Sequence, residues 1–401
     1  MVRSVVRRPS AVAWLVFVFL NAAVGAAPGD LDPGFASGGR YLSTLYGTSM
    51  FGPSVAVQPG GRILVAGKHF NGSDDDFALL ALTAAGGFEG SVIVPFTGGK
   101  NENAKSILLL GDGRIVMGGE GNAGTYAQHG VVRLLANGSL DGAFGVGGRV
   151  SIDFGRLSHL HGMARQTDGK LVVVGDSYSG SNTGRVAIAR LNVNGSLDAS
   201  FGTAGRVDAS YGESSNGHAV VIGTDDRITI GGYVENATNG LASACFVARF
   251  SASGQTDTGF GSGGSTVATL GSGNTNYCHQ LVMQTDGKVV MAGGSLRNGV
   301  GDFVMARYTT TGALDASFGS GGVVSTEFGG RLPSSTVLPD YFSPGTAVTQ
   351  QVSGYTARVY ANGMAVGVKD GRVYVYGDVF GGLRDVGALT SLLAQAFQAG
   401  Y

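Results

Sequence analysis

Charge is scarce in this chain. Asp, Glu, Lys and Arg together make up 14% of it and nearly cancel, leaving a formal net charge of −1. No long run of Lys or Arg lies beyond the N-terminus, so the electrostatic footprint of a nucleic-acid binder is missing. Cysteine occurs only at Cys245 and Cys278. Two thiols that far apart do not make a CxxC redox or zinc motif, but in an exported chain they permit one disulfide. There is no Gly-x-Ser-x-Gly elbow, no nucleotide loop and no His-Glu-x-x-His, so no common catalytic signature is available to read.

Glycine, in contrast, is abundant, at 71 of 401 residues, and 43% of the chain is hydrophobic. Such a chain can bury a core and make many tight turns. The glycines follow no G-X-Y period, which excludes collagen.

The N-terminus reads as a secretory signal over 1–26. Arg3, Arg7 and Arg8 form a basic region, an apolar run follows from Ala11 to Leu20, and Val24-Gly25-Ala26 offers small residues for cleavage. The run is short for a membrane span. The expectation is export to the periplasm, cell envelope or exterior, with no transmembrane span in the mature chain.

A strand–turn–strand unit then repeats. Its clearest copy is Gln166-Thr167-Asp168-Gly169-Lys170-Leu171-Val172-Val173-Val174-Gly175, and its turn recurs at Gly60, Asp112, Asp168, Asp225, Asp286 and Asp370. Asp-Gly between β-branched runs is a two-residue hairpin signal. A third strand and a Leu-Asp-x-x-Phe-Gly corner follow in most copies, then a short fourth strand. Four short antiparallel strands at near-even spacing predict a propeller blade. The expected fold is an all-β, six-bladed β-propeller over 27–401. Its blades fall near 54–95, 104–153, 161–210, 217–269, 278–327 and 362–401. The last blade lacks the corner, whereas an unattached copy opens the mature chain at Leu31-Asp32-Pro33-Gly34-Phe35. Residues 31–45 are therefore expected to complete the last blade and close the ring, covering two sheet edges. Residues 331–362, with Pro333, Pro339 and Pro344, read as an insertion on the face that carries the variable loops.

The strings Asp-Gly-Lys-(apolar)4-Gly over 166–175, Ala-Ile-Ala-Arg-Leu in 186–191, and Asn-Gly-Ser-Leu-Asp-Ala-Ser-Phe-Gly over 194–202 resemble the bacterial delta-60 repeat family. The resemblance extends over most of the mature chain from Leu31. It departs at Gly60, at Asp226 in place of a turn glycine, and in the first and last corners. It implies an exported, propeller-like bacterial protein and carries no catalytic residues.

Several residues stand out as site candidates. Arg133/Asp141, Arg190/Asp198, Arg249/Asp257 and Arg307/Asp315 recur eight residues apart. Recurrence in blade after blade reads as a structural corner, with the guanidinium as a planar donor fork. His161, His218 and His279 each lie seven residues before a turn Asp, hence at equivalent points on three inner strands. Lys105 and Pro53 hold that place in blades two and one. Two readings stand: a shared divalent metal such as zinc or iron, or caps that bond loop carbonyls. No cofactor beyond such a metal is expected. Tyr46, Phe96, Phe154, Tyr211, Phe328, Tyr341 and Phe342 fall on the variable face, either as a binding surface or as packing. Cys245 and Cys278 should lie near the top of adjacent blades, within reach of a disulfide.

The regular face of such a scaffold is the quiet one, and binding belongs to the variable face. The reading is an exported, monomeric binding scaffold for a protein or carbohydrate ligand, with no nucleic-acid partner. Its alternative is a metal-dependent lyase, hydrolase or oxidoreductase with a site at the channel mouth.

Overall fold

The hairpins foreseen around each Asp-Gly turn pair into four-stranded antiparallel sheets in a computed structural model of the chain. It describes residues 31–41, 51–96, 101–121, 126–179, 183–236, 242–271, 275–297, 300–326, 347–352, 355–360, 364–369 and 372–377. Blade one holds β1 (Phe51–Val57), β2 (Ile63–Phe70), β3 (Asp75–Leu82) and β4 (Phe88–Val94). Blade two holds β5 (Asn103–Leu109), β6 (Ile115–Gly121), β7 (Gln128–Leu134) and β8 (Arg149–Ile152). Blade three holds β9 (Ser158–Arg165), β10 (Leu171–Tyr178), β11 (Gly184–Leu191) and β12 (Arg206–Ala209). Blade four holds β13 (Ser214–Ile222), β14 (Ile228–Asn236), β15 (Ala242–Phe250) and β16 (Ser265–Ala268). Blade five holds β17 (Thr275–Met283), β18 (Val289–Arg297), β19 (Val300–Tyr308) and β20 (Val323–Thr326). One parallel bridge, Ser243 to Thr275, merges blades four and five into one eight-stranded sheet. No helix among the described residues is long and apolar enough to cross a membrane.

The first strands β1, β5, β9, β13 and β17 contact one another in turn, as the innermost strands of a propeller do. The core lies between blades rather than within them. Leu160 and Met163 of blade three pack on Val116 and Val131 of blade two, and Leu281 and Met291 of blade five on Val247 of blade four. A central strand is thus covered on both faces, which is why β10 opens as a continuous Leu-Val-Val-Val run without alternation.

The corners bind blade to blade. In each of Arg133, Arg190, Arg249 and Arg307, Nε donates to Oδ2 of Asp141, Asp198, Asp257 and Asp315 at 2.8 Å. Each guanidinium also lies over its corner Phe, at 4.4–4.8 Å from ring centroids. The first three reach on to turn carbonyls of the following blade: Val193, Ala252 and Thr310. The corner glycines do likewise, Gly202 N–H donating to Ser253 O at 3.0 Å and Gly261 to Thr311 O at 2.8 Å. Asp226, which replaces a turn glycine, adopts φ 59°. Its carboxylate accepts the Thr167 N–H of blade three at 2.8 Å, a tie glycine cannot supply.

The N-terminal corner has the same shape. Ala36 takes φ 43°, the left-handed conformation of the corner glycines, and its N–H donates to Ala85 O of blade one at 2.7 Å. It sits on blade one as the corners of blades two to four sit on the blade after their own.

The C-terminal region departs from expectation. Four strands, β21 (Ala347–Val352), β22 (Tyr355–Tyr360), β23 (Met364–Lys369) and β24 (Arg372–Gly377), form one meander. Residues 347–352 and 355–360 of the segment read as an insertion are therefore strand. The prolines upstream masked two β-branched runs joined at Ser353-Gly354. Blade-like strands at 364–369 and 372–377 lie where the repeat put them, but as the third and fourth of their sheet.

Candidate functional site at the inner-strand bulges

The first strand of blades two to five carries a β-bulge at the same place. The register skips Lys105 between Ala104 and Ser106, His161 between Leu160 and Gly162, His218 between Gly217 and Ala219, and His279 between Cys278 and Gln280. The three histidines thus share a special backbone position, one that re-aims a side chain. The bulge also explains the glycine ending each apolar run. A Cβ on Gly119, Gly175, Gly232 or Gly293 would lie 1.8–2.0 Å from the carbonyl oxygen of Asn103, His159, Asn216 or Tyr277. Only a residue without a side chain allows that approach.

The residue after that glycine, one strand out, meets the bulge residue. In blade two, Lys105 Nζ lies 2.5 Å from Glu120 Oε1. In blade three, His161 Nε2 lies 2.8 Å from Asp176 Oδ2, and His159 Nδ1 lies 3.0 Å from Asp176 Oδ1. In blade four, His218 stacks on Tyr233 at 5.2 Å between centroids. The imidazoles form an arc, His161 on His218 at 4.3 Å and His218 to His279 at 4.6 Å, with 3.2 Å between the last two Nδ1 atoms. Tyr277 meets Tyr233 edge-on at 5.0 Å, and the Tyr178 hydroxyl donates to Asn216 Oδ1 at 2.7 Å.

Burial sets the charges. It pushes His218 down to about 2 and lowers His279, so both imidazoles are neutral near pH 7. Burial also works to raise Asp176, but the bonds from His159 and His161 outweigh it and hold the carboxylate well below its usual range. Burial raises the Tyr178 and Tyr233 phenols, which stay protonated. The result is a buried anion near two neutral imidazoles, His218 and His279, and aromatic faces.

The histidines anticipated together do meet, yet not around one point. His161 and His218 stack with 25° between their planes. Ring nitrogens direct lone pairs in the ring plane, so faces this close do not aim at a common ion. Sequence reasoning missed His159 and Asp176. The one available signal was the acid directly after the repeat glycine, at Glu120 and Asp176. Among the variable-face aromatics, Phe96 is buried against Phe77, Tyr211 stacks on Phe246, and Phe154 packs on His129. These three serve blade packing. Tyr46, Phe328, Tyr341 and Phe342 lie outside the described residues. Cys245 and Cys278 form a disulfide between blades four and five, beside the His279 bulge.

Three segments, 110–144, 166–201 and 284–318, match a family described as a domain of unknown function (DUF5122) beta-propeller. The comparison with curated proteins found no match. Among solved structures, the polysaccharide lyase Uly1 is similar at 12% identity and TM-score 0.40, over 88% of this chain and 93% of that one. A GH43 beta-xylosidase/alpha-arabinofuranosidase from a compost microbial metagenome is similar at 11% and 0.36, over 66% and 93%. A GH43_1 enzyme from Xanthomonas citri follows at 14% and 0.37, over 66% and 89%. At these identities and scores the likeness says nothing of substrate.

Proposed function

These propeller repeats are the premise from which we propose an exported binding protein that takes a carbohydrate at the upper mouth of its channel. The observation that carries this reading is the convergence of His218, Tyr277 and His279 on the inner strands of blades four and five with Tyr233 one strand out. All four are partly or fully exposed, and His218 and His279 stand at the middle of their nine-residue strands, at the bulge. Aromatic faces take the C–H faces of sugar rings, and the neutral nitrogens and phenols at their edges meet hydroxyl groups. Export is supported by the Cys245–Cys278 disulfide, which persists only in an oxidising compartment. The scaffold we infer has six blades, closed at the corner of residues 31–36.

An oligosaccharide array probed with the mature chain tests the ligand class. Binding should be retained by a Val146→Ser surface variant and fall at least about tenfold in Tyr277→Ala, the loss of one well-packed aromatic contact. Array binding that Tyr277→Ala and His279→Ala leave unchanged would refute the site. A second reading, a metal-dependent enzyme at the same mouth, is favoured by the carboxylate that joins two imidazoles there.

A further inference from the structure

We propose that His159, His161 and Asp176 form a binding site for one divalent first-row metal ion, with further coordination positions open to the channel. One ligand atom from each residue lies within 4.8 Å of the other two. The Asp176 carboxylate is 2% exposed and uses both oxygens towards imidazoles. A tetrahedral site with bonds of 2.0–2.1 Å places its ligand atoms about 3.3 Å apart. Each ring nitrogen lies near that spacing from a different carboxylate oxygen, 2.8 Å to Oδ2 and 3.0 Å to Oδ1. To share one ion, the two imidazoles must draw together around one of those oxygens or both.

The donor set selects the ion. Two imidazoles and one carboxylate suit zinc, iron(II) or cobalt(II), and not calcium, which takes six or more oxygens. A buried carboxylate is ordinarily matched by a cation or by several hydrogen bonds. Here its partners are two imidazoles, groups that bind a proton or a metal at the same lone pair. Both retain access to solvent, their side chains being 25% and 15% exposed. An ion therefore has an entry path and room for an exchangeable ligand. The surroundings orient the rings: His218 stacks on His161, and Tyr178 lies 5.6 Å from His159.

Among the described residues the site occurs in blade three alone. The equivalents of His159 in blades two and four are Asn103 and Asn216, and the residue matching Asp176 in blade four is Tyr233. It is independent of whether the mouth binds a sugar.

The test is Co²⁺ titration of the metal-free, full mature chain, followed by visible d–d absorption, with metal content measured after dialysis. One Co²⁺ per chain is expected, with X-ray absorption showing two imidazoles in a nitrogen/oxygen shell. His159→Asn, which installs the residue blades two and four use, and the isosteric Asp176→Asn should each abolish stoichiometric binding. His279→Ala should retain it. Wild-type protein that takes up neither Co²⁺ nor Zn²⁺ overturns the proposal without recourse to any variant. So does a bound ion whose spectrum is unchanged in His159→Asn, or one lost equally in His279→Ala.

Discussion

Glu102 lies in the connection between blades one and two, 1% exposed, and its Oε2 accepts the Phe96 N–H at 2.9 Å. Burial raises its carboxyl to about 7, against the Phe96 bond, and the nearby Asp76 and Asp74 add to the rise. The folded chain thus holds a proton that the unfolded chain releases near 4.5. The stability tied to that proton is present below pH 4.5 and is lost as pH rises through 7. Glu102→Gln keeps the shape without the ionisation. Denaturant melts from pH 4.5 to 8 should show the wild type losing about 1–3 kcal/mol relative to Glu102→Gln across that window. A constant difference between the two proteins would mean that Glu102 does not titrate there. His129 acts with the opposite sign. Burial pushes it down to about 3, so it weakens the fold as pH falls below the ordinary imidazole range. Comparing variant with wild type separates Glu102 from this background.

The inner hairpin, strand plus bulge plus strand, is the element that makes the site, and its backbone matters more than its side chain. Gly175→Ala would set a Cβ 1.8 Å from the His159 carbonyl oxygen, which must then move. The expected cost is about 3 kcal/mol. His161→Ala removes only a partly exposed side chain from the bulge, at about 1 kcal/mol. Urea unfolding of the two variants checks the order, and equal costs would show that the bulge is not what the glycine serves. The hairpins themselves were legible in the sequence, because an Asp-Gly turn between apolar runs admits few other readings. Counting seven residues back from that turn found His161, His218 and His279, since a repeated backbone repeats its geometry. The bulge was not legible as such: an extra residue in a strand leaves no residue type of its own, and its trace was the glycine ending each apolar run. Asp176 escaped because it joins the site across strands, outside any local spacing. The strands at 347–360 escaped because their sequence belongs to no repeat.

For the molecule as a whole, the decisive feature is what the first and fifth blades leave uncovered. Val131, Ile188 and Val247 occupy one position of the third strand in blades two to four and are fully buried by the following blade; Met305, their equivalent in blade five, is 40% exposed. Two residues earlier, His129, Val186 and Cys245 are buried and Phe303 is 55% exposed. On the opposite face, Ile107, Met163, Val220 and Leu281 are buried against the preceding blade, whereas Val55 of blade one is 63% exposed. The corner at residues 31–36 is docked on blade one, with Phe35 only half-buried where Phe144, Phe201 and Phe260 are fully buried. A sixth blade drawn from the C-terminal strands would cover Met305 and Val55 together and bury Phe35. Burying a phenylalanine contributes about 3 kcal/mol or more. Phe35→Ala should therefore lower the melting temperature by about 4–6 °C, a loss too large for a half-exposed side chain on a free arm. A chain ending at residue 326 should bind a hydrophobic dye and associate, because its apolar flanks lose their cover. A Phe35→Ala protein that melts with the wild type, together with a truncated chain that stays monomeric and dye-free, would mean that the ring is not closed this way.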